Sequence, residues 1–512
     1  MSLITFIFAL SLVVSWAVIR VGIPLSHRFD INDKPGGHKA HDTVTPLVGG
    51  LGIFFVFIFG LNLADFLQLT PSFPLIYIQL SALLIFLTGF ADDIWHLDYK
   101  IRFLAQFVVS VVMAIWGGML LVDLGSLLSM RPFELGALAL PFTMLSMIGV
   151  INALNMIDGI DGLSGSLSFT SLFMIAIVAF IAGSQTYLVL TVIIMGGIAG
   201  FLCFNLRFGT RRRALVFLGD NGSMLLGFLL SWLLISLSQG EGRAMSPATA
   251  LWILAVPLMD AVGVMVRRIY YRYPTFMPDR NHLHHLLVRA GFRVQDIVFI
   301  IALIQTFFGS IGLIGFYLGV PEPIMFFSFI GIFILYCYVI SRPWRFVPKL
   351  RILHTQLGLV SVDCRGIFIG NFPAHEATHF IRTLINVLRP RYEYDLHIYE
   401  VEGDDQEGRF LFATIDLFLE DDDASLNELK RLANKLKGQF QGYAQTTVRP
   451  FIKRDLRHDR RIANKPTIKS VRNADRRSKY IKKLVYRAQN YAGSAAILAE
   501  SLNRPEALII RY

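Results

Sequence analysis

Asp92 and Asp93 stand side by side at the end of an apolar run, with Lys100 and Arg102 a few residues further on. Adjacent carboxylates repel, and acids at a membrane boundary are costly unless paired or solvated. Paired with the two cations, they make an ordinary helix-end charge cluster. Left open, they suit a hard divalent cation or a phosphate-handling centre, because such cations prefer carboxylate oxygens.

Four other stretches carry comparable chemistry. Asn152, Asn155, Asp158 and Asp161 recur every three residues, so a helical backbone aligns them as one polar stripe. Gly159, Gly162 and Gly165 open the chain between them, and no Lys or Arg lies within 155–165 to neutralise the acids. The spacing is not that of a calcium loop, which needs D-x-[DN]-x-[DN]-G and a closing Glu. Asp220, between Gly219 and Gly222, precedes another apolar run. A helix cap explains Asn221 there better than it explains Asp220. His282, His284 and His285 follow Asp279 and Arg280. H-x-H-H does not match structural zinc spacings, whereas arginine with several histidines grips a phosphate or diphosphate. The stretch from Asp33 to Gly50 adds Lys34, His38, Lys39 and His41 ahead of a glycine-rich helix entry. It reads as a phosphate approach or simply as a basic loop.

The elements that must position these residues are apolar. Of 512 residues, 54% are hydrophobic and 17% charged, with mean hydropathy +0.54, against about 25% charged in soluble domains. Up to residue 342 the chain is a series of apolar runs, and beyond it the composition turns polar. This predicts an all-α polytopic membrane domain over 1–342, a soluble α+β domain over 343–452 and a basic tail with a terminal helix over 453–512. Eleven transmembrane helices are expected, centred near 11, 57, 83, 112, 146, 175, 197, 230, 257, 306 and 332. Those near 146 and 197 are interrupted by Pro141 and by several glycines. The first run lacks the basic leader and cleavage site of a signal peptide and reads as a first helix. Cys203, Cys337 and Cys364 are too scattered for a disulfide framework or a zinc site.

One set of loops carries 16 Lys or Arg and the opposite set only Arg131 and Arg243. The positive-inside rule then puts the N-terminus outside and the basic face, with the C-terminal extension, in the cytoplasm. All five chemical stretches fall on that basic face. Acids for a metal ion and cations for phosphate at a membrane interface fit a reaction between a water-soluble phosphorylated substrate and a lipid-borne one. A transporter of a phosphorylated or anionic solute is the rival, but it should show its polar breaks near mid-helix. Other membrane transferases with paired Asp motifs leave the H-x-H-H stretch unexplained.

In matching order over about residues 1–342, these stretches resemble those of the polyprenyl-phosphate N-acetylhexosamine-1-phosphate transferases, glycosyltransferase family 4. "PDRNHLHH" resembles the undecaprenyl-phosphate GlcNAc-1-phosphate branch. The resemblance implies transfer of N-acetylhexosamine-1-phosphate from a UDP-sugar to undecaprenyl phosphate, releasing UMP, as the first lipid-linked step of a cell-surface polysaccharide. It implies a bacterial inner-membrane enzyme using Mg²⁺, with Mn²⁺ as a substitute. Asp92, Asp93 and Asp220 would be the catalytic acids, and Asn155 with Asp220 would hold the metal. Asn152, Asp158 and Asp161 would lie near the nucleotide. Arg280, His282, His284 and His285 would hold the diphosphate and sugar, with Lys39 and His41 at the rim. The family often reads DDxxD at the acidic pair, but here the third position is His96 and Asp98 comes two residues later.

In the C-terminal extension, strand and helix patterns alternate as βαββαβ over 363–452, which suggests a small ferredoxin-like domain. Residues 453–483 hold 13 Lys or Arg against 3 Asp. With Tyr480 as the one aromatic there, anionic lipid is a better expected partner than nucleic acid. Oligomeric state is left open, a homodimer being the candidate.

Overall fold

The computed structural model describes residues 2–357 apart from 30, 34–44, 71–74, 128–130, 208–210, 212, 241 and 271–281. Beyond 357 it describes five strands and parts of 431–438. The helices are α1 (Ser2–Arg28), α2 (Gly49–Phe66), α3 (Leu75–Trp95), α4 (Tyr99–Ile115), α5 (Ala139–Ile157), α6 (Leu163–Ile181) and α7 (Gln185–Asn205). They continue as α8 (Gly219–Ser238), α9 (Pro247–Ile253), α10 (Ala255–Tyr270), α11 (Leu283–Ala290), α12 (Val294–Tyr317), α13 (Glu322–Ile340) and α14 (Pro343–Gln356).

Among the described residues nine helices are long and apolar enough to cross a membrane, and the chain is a multi-pass membrane protein. The eleven expected centres all fall on helices, but two of those helices depart from a full span. Helix α4, near residue 112, has 17 residues and opens on Lys100 and Arg102. At 1.5 Å per residue it is a few ångströms short of a hydrocarbon core of about 30 Å. The segment near 257 is broken, α9 and α10 meeting at 84°. The two runs that looked interrupted are whole. Pro141 sits in the first turn of α5, where its missing N–H would have had no helical partner. The glycines of α7 belong to packing: a Cβ at Gly196 would lie 2.5 Å from Ser11 Cβ, and one at Gly200 would lie 2.7 Å from Ser15 Cβ. Small residues four apart on both helices thus let α1 and α7 touch along their backbones. Ser15 seals the contact with a 2.8 Å bond to the Gly197 carbonyl.

Helix α8 runs through the middle of this bundle, with 94% of its span buried against 17% for α13 at the rim. Its C-terminal end is fastened by side chains. Gln239 accepts from the amides of Val122 and Asp123 and donates to the Asp123 carbonyl. Arg243 then bridges Asp123 and Glu322, at 3.1 Å each. One of the two cations on the sparse face is thereby used in a clamp that ties the 122–126 loop to α13.

The break between α9 and α10 strands backbone groups where no water can reach them. Gln305 of α12 answers both sides of it. Its Oε1 accepts from Val256 N at 2.9 Å, and its Nε2 donates to the Ile253 carbonyl and to Ser171 Oγ. Ser171 also donates to Ile253 O.

Ahead of α2 the two-residue strands β1 (Asn32–Asp33) and β2 (Thr45–Pro46) pair antiparallel. In the extension, β3 (Cys364–Pro373), β4 (Tyr394–Glu402), β5 (Arg409–Phe418), β6 (Thr447–Ile452) and β7 (Lys482–Gln489) form one antiparallel sheet, ordered β6-β3-β5-β4-β7. The four strands read from sequence are present in it, and β7 adds a fifth from the basic tail, beginning where the Lys- and Arg-rich run ends. The first helix of the ferredoxin-like reading, most of the second and the terminal helix of the tail lie outside the described residues.

Replacing Gln305 by Leu should leave Val256 N–H unpaired in the bundle. A loss of about 1–3 kcal/mol is expected for that orphaned group, read as a lowered melting temperature of the detergent-purified protein. An unchanged melting temperature would refute the role of Gln305 at the break.

Candidate active site

Asp93 shows why two carboxylates end α3. Its Oδ1 accepts the Asp220 amide at 2.8 Å, and its Oδ2 accepts the Asn221 amide at 3.1 Å and the Asn221 side-chain amide. A carboxylate of one helix thus caps the N-terminus of another, where orphan N–H groups and the helix dipole both favour negative charge. The approach is close enough to need glycines. A Cβ at Gly89 would lie 2.5 Å from Asn221 Cα, and Gly219 has φ +75 with Asp93 Oδ2 2.7 Å from where its Cβ would stand.

Asp92 points to a different partner. It is buried, and its Oδ2 meets Arg102 Nη1 at 2.7 Å. The same guanidinium nitrogen lies 3.9 Å from Asp220 Oδ2, so Arg102 stands between the two carboxylates. Asn155 Nδ2 donates to Asp220 Oδ1 at 2.6 Å and to Ser223 Oγ at 3.0 Å. Asp92, Asp93, Asn155 and Asp220 are therefore brought together from α3, α5 and α8. Asp220 is more open than Asp92, its side chain 36% exposed against 6%.

The departure at His96 has a local cause. Its φ is +50, a left-handed turn that ends α3 and that His tolerates better than most residues. Asp98 then caps α4 by accepting from Lys100 N at 3.0 Å. That carboxylate starts a helix and does not stand in for a third acid.

The polar stripe divides in the same way. Asn152 is bonded to Gln106 of α4 at 2.7 Å and to Ile148 O, one turn deeper than Asn155. Asp161 accepts from Arg207 Nε at 2.8 Å and Ala214 N at 3.0 Å, pinning the α7–α8 connection. Asp158 caps the end of α5. Burial, and then the carboxylates of Asp220, Asp93 and Asp161, push its carboxyl well above the usual range. Concentrated negative charge of this kind invites a cation.

The histidines come in over this loop. A Cβ at Gly159 would lie 2.5 Å from His284 Nε2, so the imidazole rests on the bare backbone beside Asp158. His284 is buried and stacked 5.7 Å from His282 at 9°, with His285 at 4.2 Å. Neither of its ring nitrogens has a hydrogen-bond partner among the described residues. Burial holds it down at about 3, against Asp260 and with His282 and Arg289 adding to the effect, so it is neutral at physiological pH. Lys39, His41 and Arg280 lie outside the described residues.

Asp260 is the site residue that sequence reasoning missed. Its Oδ2 pairs with His282 Nδ1 at 2.9 Å, and its Oδ1 accepts from Leu283 N at 2.9 Å and from Tyr336 Oη. It caps α11 in place of the His282 side chain, which makes no capping bond, and it leaves Nε2 as the ring nitrogen available to a ligand. The signal was an acid set in the apolar run "PLMDAVGVMV", since a charge at membrane depth marks function by default.

A sequence model described as glycosyl transferase family 4 matches residues 75–238, from the start of α3 to the end of α8. The curated relatives include the undecaprenyl-phosphate alpha-N-acetylglucosaminyl 1-phosphate transferase of Escherichia coli O157:H7, 36% identical over 323 residues, covering 62% of this chain and 87% of the relative. The proteins of the same name from Yersinia pestis (35% over 332 residues, 65% and 90%) and Haemophilus influenzae (35% over 329 residues, 64% and 91%) are similar to the same degree. The chain belongs to glycosyl transferase family 4. The stretch matched to the family 4 model holds Asp92, Asp93, Asp158, Asp161 and Asp220 but not Asp260, and it ends before the histidines.

An imidazole held neutral by burial has a testable sign. The unfolded chain takes up that proton below about 6.5, while the folded one resists it down to about 3. The folded state's advantage from this group is therefore full above the unfolded value and is lost as pH falls through the window. His284→Gln, neutral at every pH, should flatten that part of the fall in melting temperature between pH 6.5 and 4. An unchanged profile would count against a buried, neutral His284.

Proposed function

We propose that this protein transfers N-acetylhexosamine-1-phosphate, with GlcNAc as the first candidate sugar, from a UDP-sugar to undecaprenyl phosphate and releases UMP. The observation that carries the reading is the placing of Asp92, Asp93, Asn155 and Asp220 with Arg102 at the ends of apolar helices. Relatives named for undecaprenyl-phosphate chemistry support it.

An oxygen of the lipid phosphate attacks the donor's β-phosphorus in line. A new P–O bond forms, the bond to the α-phosphate oxygen breaks, and UMP departs. A phosphate monoester has a second pKa near ~6 and is already largely dianionic at neutral pH, so no residue has to remove a proton. The hydrogen bonds of Asp93 agree with this: both of its oxygens accept from the start of α8, which suits a residue that positions Asp220. Arg102, one of whose nitrogens touches Asp92, offers charge to a phosphate at the helix ends.

A divalent cation fits the donors. Among the described residues no three His, Cys, Asp or Glu side chains form a cage. Mg²⁺ seldom needs one, taking one or two carboxylates and completing its shell with water and substrate phosphates. Asp220 and Asn155 would hold it, and Asp158 lies nearby. When bound, the ion would neutralise the diphosphate and the leaving UMP. The lysine and arginine bias of the loops supports a cytoplasmic site in an inner membrane.

The test uses the full chain in membranes with undecaprenyl phosphate and UDP-GlcNAc labelled in the sugar. Label should enter the organic phase with UMP as the other product, stop with EDTA and return with Mg²⁺. Asp220→Asn should lower the rate by at least about a hundredfold, the scale of losing one preorganised electrostatic group. Solute flux without UMP release would favour the transporter.

A further inference from the structure

We infer that α14 is a membrane-surface helix that engages anionic phospholipid headgroups and, from that seat, braces the helix carrying the histidines. The span α13 ends at Ile340, and α14 begins at Pro343. Ser341 and Arg342 separate the two, and proline at a first helical position is pre-organised to begin a helix, so α14 starts as a new element where the chain leaves the membrane.

Its two faces differ. Val347, Leu350 and His354, three and four residues apart, turn inward. Val347 and Leu350 pack on the core, and His354 is 3% exposed with its ring edge-on to Phe292 at 4.7 Å. Phe292 lies two residues beyond α11, the helix of His284 and His285. On the other side Arg345, Lys349 and Leu353 follow one another at steps of four, with Ile352 beside them and Leu357 just past the helix end. All five are exposed, the three aliphatics by 45–59%.

Large aliphatics in water are costly, and cations interleaved with them do not suit a docking patch for a basic protein segment. That pairing does suit the boundary between headgroups and acyl chains, with the aliphatics dipping in and the cations on lipid phosphates. The end of α13 continues the pattern, Arg342 lying 4.4 Å over the Tyr338 ring. The occupant is thus a negatively charged lipid surface on the same side as the acidic site, because α14 reaches that site through α11.

The activity readout rests on the proposed transfer, so a second readout is independent of it. Leu353→Cys, made with Cys203, Cys337 and Cys364 changed to Ser, is labelled with an environment-sensitive dye. The full chain is then placed in vesicles of phosphatidylcholine alone or with phosphatidylglycerol, each with a headgroup-level quenching lipid. Quenching should appear with phosphatidylglycerol, and transfer should be faster there. Arg345→Glu with Lys349→Glu should abolish both responses at an unchanged melting temperature, with up to about fivefold lost per cation. Quenching and rate indifferent to lipid charge, or responses surviving the charge reversal, would overturn the inference. So would a label shielded from lipid in both vesicles by the residues beyond 357. Absence of transfer in every lipid, with charge-dependent quenching intact, would count against the transfer reading alone.

Discussion

The carboxylate of Asp93 on the first amides of α8 is the interaction on which the rest of the site depends. It joins the end of one membrane helix to the beginning of the most buried one. That junction sets where Asp220 stands, and Asp220 in turn is reached by Asn155 and approached by Arg102. Because the cap is a charge on a helix N-terminus within a bundle, nothing neutral and apolar could replace it without stranding N–H groups. The adjacent acids divide the labour: Asp93 fixes the geometry, while Asp92 keeps the arginine.

The same economy governs the second half of the site. A helix broken at membrane depth is tolerable only where other groups meet its loose backbone, and Gln305 with Ser171 does that. The break lets α10 carry Asp260 to the histidines. Polar groups support two of the stretches from behind: buried Gln106 behind Asn152, half-buried Arg207 behind Asp161, and buried Asp260 behind His282.

Much of this was legible in the sequence. The apolar runs named the helices, and the five polar stretches pointed to one face. The structure brings the acids and histidines of four of them into one neighbourhood. The sequence could not divide roles within a stretch. Whether an Asp caps a helix, pins a loop or stays open depends on which backbone lies opposite, and Asp93, Asp98, Asp161 and Asp220 look alike until it does. Pro141 and the α7 glycines misled in the other direction, because breaker residues are harmless in a first turn and useful where two helices touch. The 84° break was invisible since α9 and α10 together are as apolar as a straight span.

Helix α8 is fastened twice, by Asp93 at one end and through Gln239 and its neighbour Arg243 at the other. A rod bolted at both ends has no stroke. Alternating access needs one half of a bundle to rock against the other, and here the central stave ties the two faces together. The acidic end of α8 is thereby held at one depth, where a lipid-borne phosphate and a water-soluble donor can meet.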